Sequence, residues 1–180
     1  YGPDGCQMTD DAAAVVYAEI QKTDILTGAE MMSFEDGIAQ GLIEYVGEDC
    51  KEALYSAIEA CAVRPGICKT AGLKLVYSPL NGSGLVPVTR VLHDIGIDDI
   101  TIVPEQQYPD GNFPTCPYPN PEIREALQKG LDLCKTVKPD LLLATDPDCD
   151  RVGIAVNQHG EYVLMTGNEV GILLLNFIAQ

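Results

Sequence analysis

The sequence predicts an α/β protein with three layers, α/β/α, around a mixed and mostly parallel β-sheet. Three short apolar runs, residues 73–77, 99–103 and 140–145, are predicted strands, and amphipathic helical patterns separate them. Apolar strands that alternate with helices are typical of parallel sheets covered on both faces. Two further runs, residues 152–156 and 161–165, flank a polar turn that contains glycine. This pair predicts a hairpin, so the sheet is expected to be mixed.

The first part of the chain predicts two helices and one short strand. Thr9 is suited to cap a helix that begins at Asp10, where acidic residues favour a helix N-terminus. Residues 42–46 form a short apolar run and predict a strand. Residues 48–62 predict the second helix, whereas residues 23–41 are mixed in character and predict no element.

Three more helices are predicted in the remainder of the chain. One follows the turn at residues 81–84 and carries Pro87 in its first turn. Another begins at Asn120, after a proline-rich loop. Its expected inward residues recur at helical spacing: Ile123, Leu127, Leu131 and Cys134. The last helix opens with Thr166 and Glu169, which are spaced as a capping box.

The composition excludes several classes of function. The formal net charge of −16, with 11 basic against 27 acidic residues, argues against a nucleic-acid binder, which needs a basic surface. No apolar run approaches the roughly 18 residues that span a bilayer, so no membrane partner is expected. The seven cysteines are odd in number and include no C-x-x-C pair, which predicts free thiols in a reducing cytoplasm.

The sharpest local feature is the segment Thr145-Asp-Pro-Asp-Cys-Asp-Arg, directly after the third predicted strand. Ligands of parallel sheets bind just outside the carboxyl ends of the strands. Asp146, Asp148 and Asp150 alternate there, and three close carboxylates repel one another unless a cation lies between them. Oxygen ligands suit Mg²⁺, and Arg151 is suited to hold a phosphate. The sequence therefore predicts a magnesium site.

Two other interpretations of this segment have to be compared with its residues. An EF-hand also begins D-x-D-x-D, but it needs Gly at its sixth position and Glu at its twelfth, where this chain has Arg151 and Asn157. That interpretation is rejected. Residues 148–152 also fit the D-x-D-x-V pattern of haloacid-dehalogenase-type phosphatases, which use an Asp nucleophile. Such an enzyme needs a later lysine, and Lys138, the last lysine of the chain, precedes the segment.

The segment resembles the metal loop D-G-D-x-D-R of the α-D-phosphohexomutase superfamily, the phosphoglucomutases and phosphomannomutases. Pro147 stands where many members have Gly, as in the branch that contains phosphoglucomutases and phosphopentomutase-like enzymes. Three other segments resemble the superfamily in the same order along the chain. They are residues 1–7, after the phosphoserine loop, residues 109–122, in the second domain, and residues 166–169, at the start of the third domain.

The resemblance implies a mutase that moves a phosphoryl group between the 1 and 6 positions of a hexose phosphate, with glucose the expected sugar. An upstream phosphoserine is the implied donor, sugar phosphate and sugar bisphosphate are the implied ligands, and Mg²⁺ is the implied cofactor. Asp146, Asp148 and Asp150 would bind the metal, and Arg151 would help to hold the transferring phosphoryl group. The superfamily's Ser-His-Asn-Pro loop does not occur in this sequence.

The same resemblance predicts that the chain is a central fragment. Residues 1–46 would end the first domain, residues 47–157 would form the second, and residues 158–180 would begin the third, with the other domains of the same polypeptide as partners. The fragment alone is expected to be inactive. One non-enzymatic alternative stays open, a nucleotide- or metal-binding module that uses the glycine-containing turn at residues 81–84.

Overall fold

The structure is a computed structural model that describes residues 1–180 and divides them into two compact units. The first unit is Tyr1–Gly47 and the second is Glu48–Gln180. No helix combines the length and the apolar character that crossing a membrane requires.

The first unit contains two helices, α1 (Asp10–Ile20) and α2 (Phe34–Ala39). The predicted start of α1 after Thr9 is confirmed, but the Thr9 side chain makes no capping hydrogen bond, and the apolar face of this helix is exposed. The strand predicted at residues 42–46 is wrong. The amides of Leu42 and Ile43 donate to the carbonyl of Gly37 and close the end of α2, so they do not enter a sheet. An apolar run forms a strand only where a partner strand pairs with it.

The second unit holds a five-stranded sheet in the order β2-β1-β3-β4-β5. Its strands are β1 (Lys74–Ser78), β2 (Asp99–Ile102), β3 (Leu141–Thr145), β4 (Val152–Gln158) and β5 (Glu161–Met165). β1 pairs in parallel with β2 and β3, while the pairs β3–β4 and β4–β5 are antiparallel. The predicted α/β class, mixed sheet and hairpin are confirmed.

The helices of this unit are α3 (Glu48–Ala60), α4 (Leu85–Asp94), α5 (Arg124–Val137) and α6 (Gly167–Ala179). The connection β1-α4-β2 runs outward along the sheet, and the connection β2-α5-β3 runs back past β1. Crossover connections between parallel strands are almost always right-handed. Because these two connections run in opposite directions along the sheet, α4 and α5 lie on opposite faces of it. This arrangement gives the three predicted layers.

The main core lies between the sheet and α5. Apolar side chains from both layers are fully or almost fully buried there, among them Val76, Leu127, Leu131, Cys134 and Leu142. The start of α5 differs from the prediction, because the helix begins at Arg124 and not at Asn120. The Asn120 side chain accepts a hydrogen bond from the amide of Glu122, a turn that leaves Ile123 extended and exposed.

The predicted capping box at the start of α6 is confirmed in both of its halves. The Thr166 hydroxyl accepts a hydrogen bond from the amide of Glu169, and the Glu169 carboxylate accepts one from the amide of Thr166. The reciprocal pair satisfies two backbone donors that the helix itself leaves free.

Candidate functional site

The candidate site is the connection between β3 and β4, residues 146–151, which we call the aspartate loop. Thr145 pairs with Val152 in the antiparallel hairpin, so both ends of the loop are fixed by the sheet. Within the loop the amide of Cys149 donates to the carbonyl of Asp146 over 3.0 Å. Cys149 has a left-handed φ of 65°. The loop is therefore a tight turn at the carboxyl end of β3, where the sequence predicts the ligand site.

Asp146 is the anchor of this loop, and its side chain is fully buried. Its Oδ1 accepts a hydrogen bond of 2.8 Å from the amide of Arg151, and its Oδ2 accepts one of 2.7 Å from the Nε of Arg151. Burial works against the charged carboxylate, but these two donors hold the pKa of Asp146 below its usual value. Asp146 therefore stays ionised in the interior of the loop.

Asp148 and Asp150 are exposed, and they lie close to Asp146. One carboxylate oxygen from each of the three residues can be chosen so that all three atoms lie within 4.8 Å of one another. The pKa of Asp150 is raised, first by its hydrogen bond to Asp146 and then by the negative charges of Asp148 and Asp146. The three carboxylates are thus held together against their mutual repulsion.

This donor set fits a hard divalent cation. All three candidate ligand atoms are carboxylate oxygens, which suit Mg²⁺, Mn²⁺ or Ca²⁺ better than softer metals. A cation among them would offset the negative charges of Asp148 and Asp146, which add to the hydrogen bond with Asp146 in raising the pKa of Asp150. The structure therefore brings the three predicted ligands together in a cluster that could bind a metal.

Arg151 combines an anchored position with an accessible charge. Its Nε and backbone amide donate to Asp146, and no hydrogen bond within the chain uses its two terminal nitrogens. The side chain is 56% exposed. A guanidinium held in this way can present its terminal nitrogens to an anionic ligand such as a phosphate.

A second loop lies against the aspartate loop. It follows β1 at residues 79–84, and we call it the support loop. The backbone amide and the hydroxyl of Ser83 both donate to the carbonyl of Pro147, over 2.8 and 3.0 Å. The amides of Asn81 and Gly82 donate to the carbonyls of Gln106 and Pro79. Three amides of the turn at residues 81–84 are thus already bonded within the chain, which disfavours the nucleotide-binding alternative.

The sequence predicts the aspartate loop and a turn at residues 81–84, but it carries no pattern that singles out Ser83 or Tyr77. The hydroxyl groups of Tyr77 and Thr145 share a buried hydrogen bond of 2.9 Å beneath the two loops. Burial raises the pKa of Tyr77 to about 12. The only signal in the sequence was that both loops follow neighbouring parallel strands.

Comparison with known families agrees with the site. The family model described as phosphoglucomutase/phosphomannomutase, alpha/beta/alpha domain II, matches residues 54–160, which is more than half of the chain. The matched residues include the whole aspartate loop, the support loop and strands β1 to β4.

Individual relatives carry the same family name. The chain is 30% identical to a phosphoglucomutase of Staphylococcus epidermidis over 98% of this chain and 32% of the relative. It is 28% identical to a phosphoglucomutase of Staphylococcus aureus over 100% of this chain and 32% of the relative. The chain thus spans about a third of the length of these curated relatives.

One solved structure shows the shared fold. A phosphoglucomutase/phosphomannomutase family protein from Burkholderia thailandensis matches with a TM-score of 0.52 at 24% identity, over 77% of this chain and 30% of that one.

Proposed function

This chain belongs to the phosphoglucomutase/phosphomannomutase family, and from that premise we propose that it is the central part of a magnesium-dependent phosphosugar mutase. The reaction moves a phosphoryl group between the 1 and 6 positions of a hexose phosphate, most simply glucose phosphate. The observation that carries the proposal is the convergence of Asp146, Asp148 and Asp150 beside an anchored Arg151 at the end of a buried strand.

The residues of the aspartate loop take distinct roles in this proposal. Asp146, Asp148 and Asp150 hold Mg²⁺, which when bound stabilises negative charge on the phosphoryl group during in-line transfer. Arg151 directs its free terminal nitrogens to the phosphoryl oxygens, and its bonds to Asp146 fix the direction of the guanidinium. The phosphoserine donor and most contacts to the sugar belong to other domains of the same polypeptide.

We propose the domain boundaries that the sequence predicts, residues 1–46, 47–157 and 158–180. The family match over residues 54–160 and the compact unit that begins at Glu48 support the central assignment. A cytoplasmic location, expected from the cysteine content, stays a prediction.

The phosphatase alternative makes a different demand on the same loop. It requires Asp148 to be a nucleophile that becomes phosphorylated, whereas the mutase requires Asp148 only as a metal ligand. The family to which the chain belongs favours the mutase. Trapping the phosphoenzyme of the complete polypeptide and locating its phosphate separates the two, because the mutase predicts phosphoserine and the phosphatase predicts phosphoaspartate.

The decisive assay measures conversion of glucose 1-phosphate to glucose 6-phosphate by the complete polypeptide. Removal of divalent cations should abolish turnover, and Mg²⁺ should restore it. Asp148→Asn should lower turnover by at least about 100-fold, since metal stabilisation of the transition state is worth several kcal/mol. Parallel assays with mannose 1-phosphate identify the preferred sugar.

Asp99→Asn is the matched control, because it removes the same charge from an exposed position at the start of β2. It should leave turnover unchanged. Full activity of Asp148→Asn, or turnover without any divalent cation, would refute the proposed role of the loop. The 180-residue chain alone should show no turnover.

A further inference from the structure

We propose that the support loop positions the aspartate loop, with Ser83 and Gly82 as the positioning residues that set the spacing of the three carboxylates. This inference rests on the proposed function, because it concerns the same metal site. It assigns a role to residues far from the aspartate loop in the sequence, since Ser83 lies 64 positions before Pro147.

The first support for this role is the pair of hydrogen bonds to Pro147. The carbonyl of Pro147 accepts two hydrogen bonds, one from the amide and one from the hydroxyl of Ser83. A single residue of the support loop therefore makes both contacts. Pro147 lies between Asp146 and Asp148 in the sequence. A shift of its carbonyl therefore changes the separation of those two carboxylates.

The second support is the close packing of two glycines. A Cβ atom added to Gly82 would collide with the backbone of Pro147, at its Cα atom. A Cβ added to Gly84 would collide first with the hydroxyl oxygens of Tyr77 and Thr145 beneath the loops, and it would lie 3.1 Å from the Sγ of Cys149. Pro147 and Cys149 are the two spacers of the Asp-x-Asp-x-Asp pattern, so the support loop contacts the aspartate loop at both spacers.

The third support is the rigidity of the support loop itself. The buried side chain of Asn81 donates to the carbonyls of Glu105 and Tyr108, over 3.3 and 2.9 Å. The Ser78 hydroxyl donates to the buried side chain of Gln106 over 2.7 Å. A loop held in this way can resist movement of the groups that it contacts.

Together these contacts oppose the repulsion within the aspartate loop. Three carboxylates within 4.8 Å tend to move apart, and only Asp146 has a cationic partner at hydrogen-bond distance, Arg151. Some groups hold metal ligands in place without touching the metal, and their mutation commonly weakens metal binding by about 10- to 100-fold. Ser83 and Gly82 are placed to act in this way.

The test measures Mn²⁺ affinity of the complete polypeptide by titration calorimetry or electron paramagnetic resonance. Ser83→Ala removes the hydroxyl donor but keeps the backbone amide, and we expect Mn²⁺ binding about tenfold weaker. Ser83→Thr keeps the hydroxyl and should bind like the wild type. Gly82→Ala should weaken binding more than Ser83→Ala, because its new methyl group displaces Pro147.

Two controls separate positioning from general stability. Ser56→Ala changes an exposed serine of α3, and Gly171→Ala adds a methyl group in open space on α6. Both should leave Mn²⁺ binding unchanged. Thermal unfolding of Ser83→Ala without metal should match that of the wild type, since Ser83 is exposed.

The outcomes distinguish this inference from the proposed function. If Ser83→Ala binds Mn²⁺ as tightly as the wild type, the positioning role is overturned. The proposed mutase function still stands in that case, provided that the wild-type protein binds Mn²⁺ and interconverts sugar phosphates. A wild type that neither binds Mn²⁺ nor turns over substrate would overturn both. If Ser83→Ala binds Mn²⁺ more weakly and Ser83→Thr binds it like the wild type, the result supports both the positioning role and the metal site of the proposed function.

Discussion

The two loops that leave β1 and β3 lie against each other at the same edge of the sheet, yet they use their polar groups in opposite ways. The support loop buries Asn81 and directs its hydrogen bonds at other parts of the backbone. The aspartate loop buries only Asp146 and leaves Asp148 and Asp150 exposed. The difference indicates that Asn81 of the first loop contributes to stability, while the second loop presents the side chains that bind a ligand.

The largest effect on stability is expected from Asn81→Ala. The change removes two part-buried hydrogen bonds to the backbone carbonyls of Glu105 and Tyr108, and it places Ala at a left-handed φ of 58°. The free energy of unfolding should fall by about 3 kcal/mol, measured by urea denaturation. Asn81→Gly loses the same two hydrogen bonds but adopts the left-handed φ without strain, so it should lower the free energy of unfolding by less than Asn81→Ala does. If Asn81→Ala left stability unchanged, the contrast between the two loops would disappear.

A smaller, pH-dependent effect is expected from Tyr77, which lies beneath both loops. Its folded pKa is raised to about 12 from 10.0, mainly by burial, so its contribution to stability is present below about pH 10 and is lost as pH rises through 12. The stability advantage of wild type over Tyr77→Phe should shrink by about 2 kcal/mol between about pH 9 and about pH 12.

Cys134 provides the internal reference for that titration. Burial raises the pKa of its thiol to about 11, and this group is common to wild type and Tyr77→Phe. Loss of stability that both proteins share above about pH 9 is therefore assigned to Cys134 and similar thiols. If the curves of stability against pH for wild type and Tyr77→Phe stay parallel up to about pH 12, then burial does not raise the pKa of the Tyr77 hydroxyl.

The smallest effect is expected from Asp150→Asn in metal-free protein. The pKa of Asp150 is raised through its hydrogen bond to Asp146 and the charges of Asp148 and Asp146, so neutralising it should relieve repulsion. The midpoint of thermal unfolding should rise slightly, while Mn²⁺ binding weakens. Asp146→Asn is the contrasting variant and should lower the midpoint, because it weakens both bonds to Arg151. A midpoint that falls for both variants would contradict this contrast.

Much of the fold could be predicted because its signals are local. The apolar run of β3 and the three alternating Asp after it mark a strand end and a ligand site in one short segment. Thr166 and Glu169 likewise predict the start of α6 from a spacing of three residues. Such features need no knowledge of distant contacts.

The incorrect and missing predictions depend on distant or competing contacts. Residues 42–46 are apolar enough for a strand, but they have no partner strand, and two amides bond to Gly37 instead. A turn that begins at Asn120 occupies the predicted first residues of α5, so the helix begins at Arg124. The contact between Ser83 and Pro147 joins residues far apart in the sequence, and an isolated serine carries no pattern that would predict it.

The short antiparallel hairpin that carries the aspartate loop also has a consequence for the order of folding. β3 and β4 are neighbours in sequence, and hairpins of this kind close within about 1–10 μs. The contact of Ser83 with Pro147 needs β1 to dock beside β3, which is slower because loop closure over a long segment comes first. We therefore expect the hairpin to bring the carboxylates together early in folding and the contact with Ser83 to order them later. Tight cation binding would then mark the final stage of folding, so Mn²⁺ could serve as a kinetic probe of its completion.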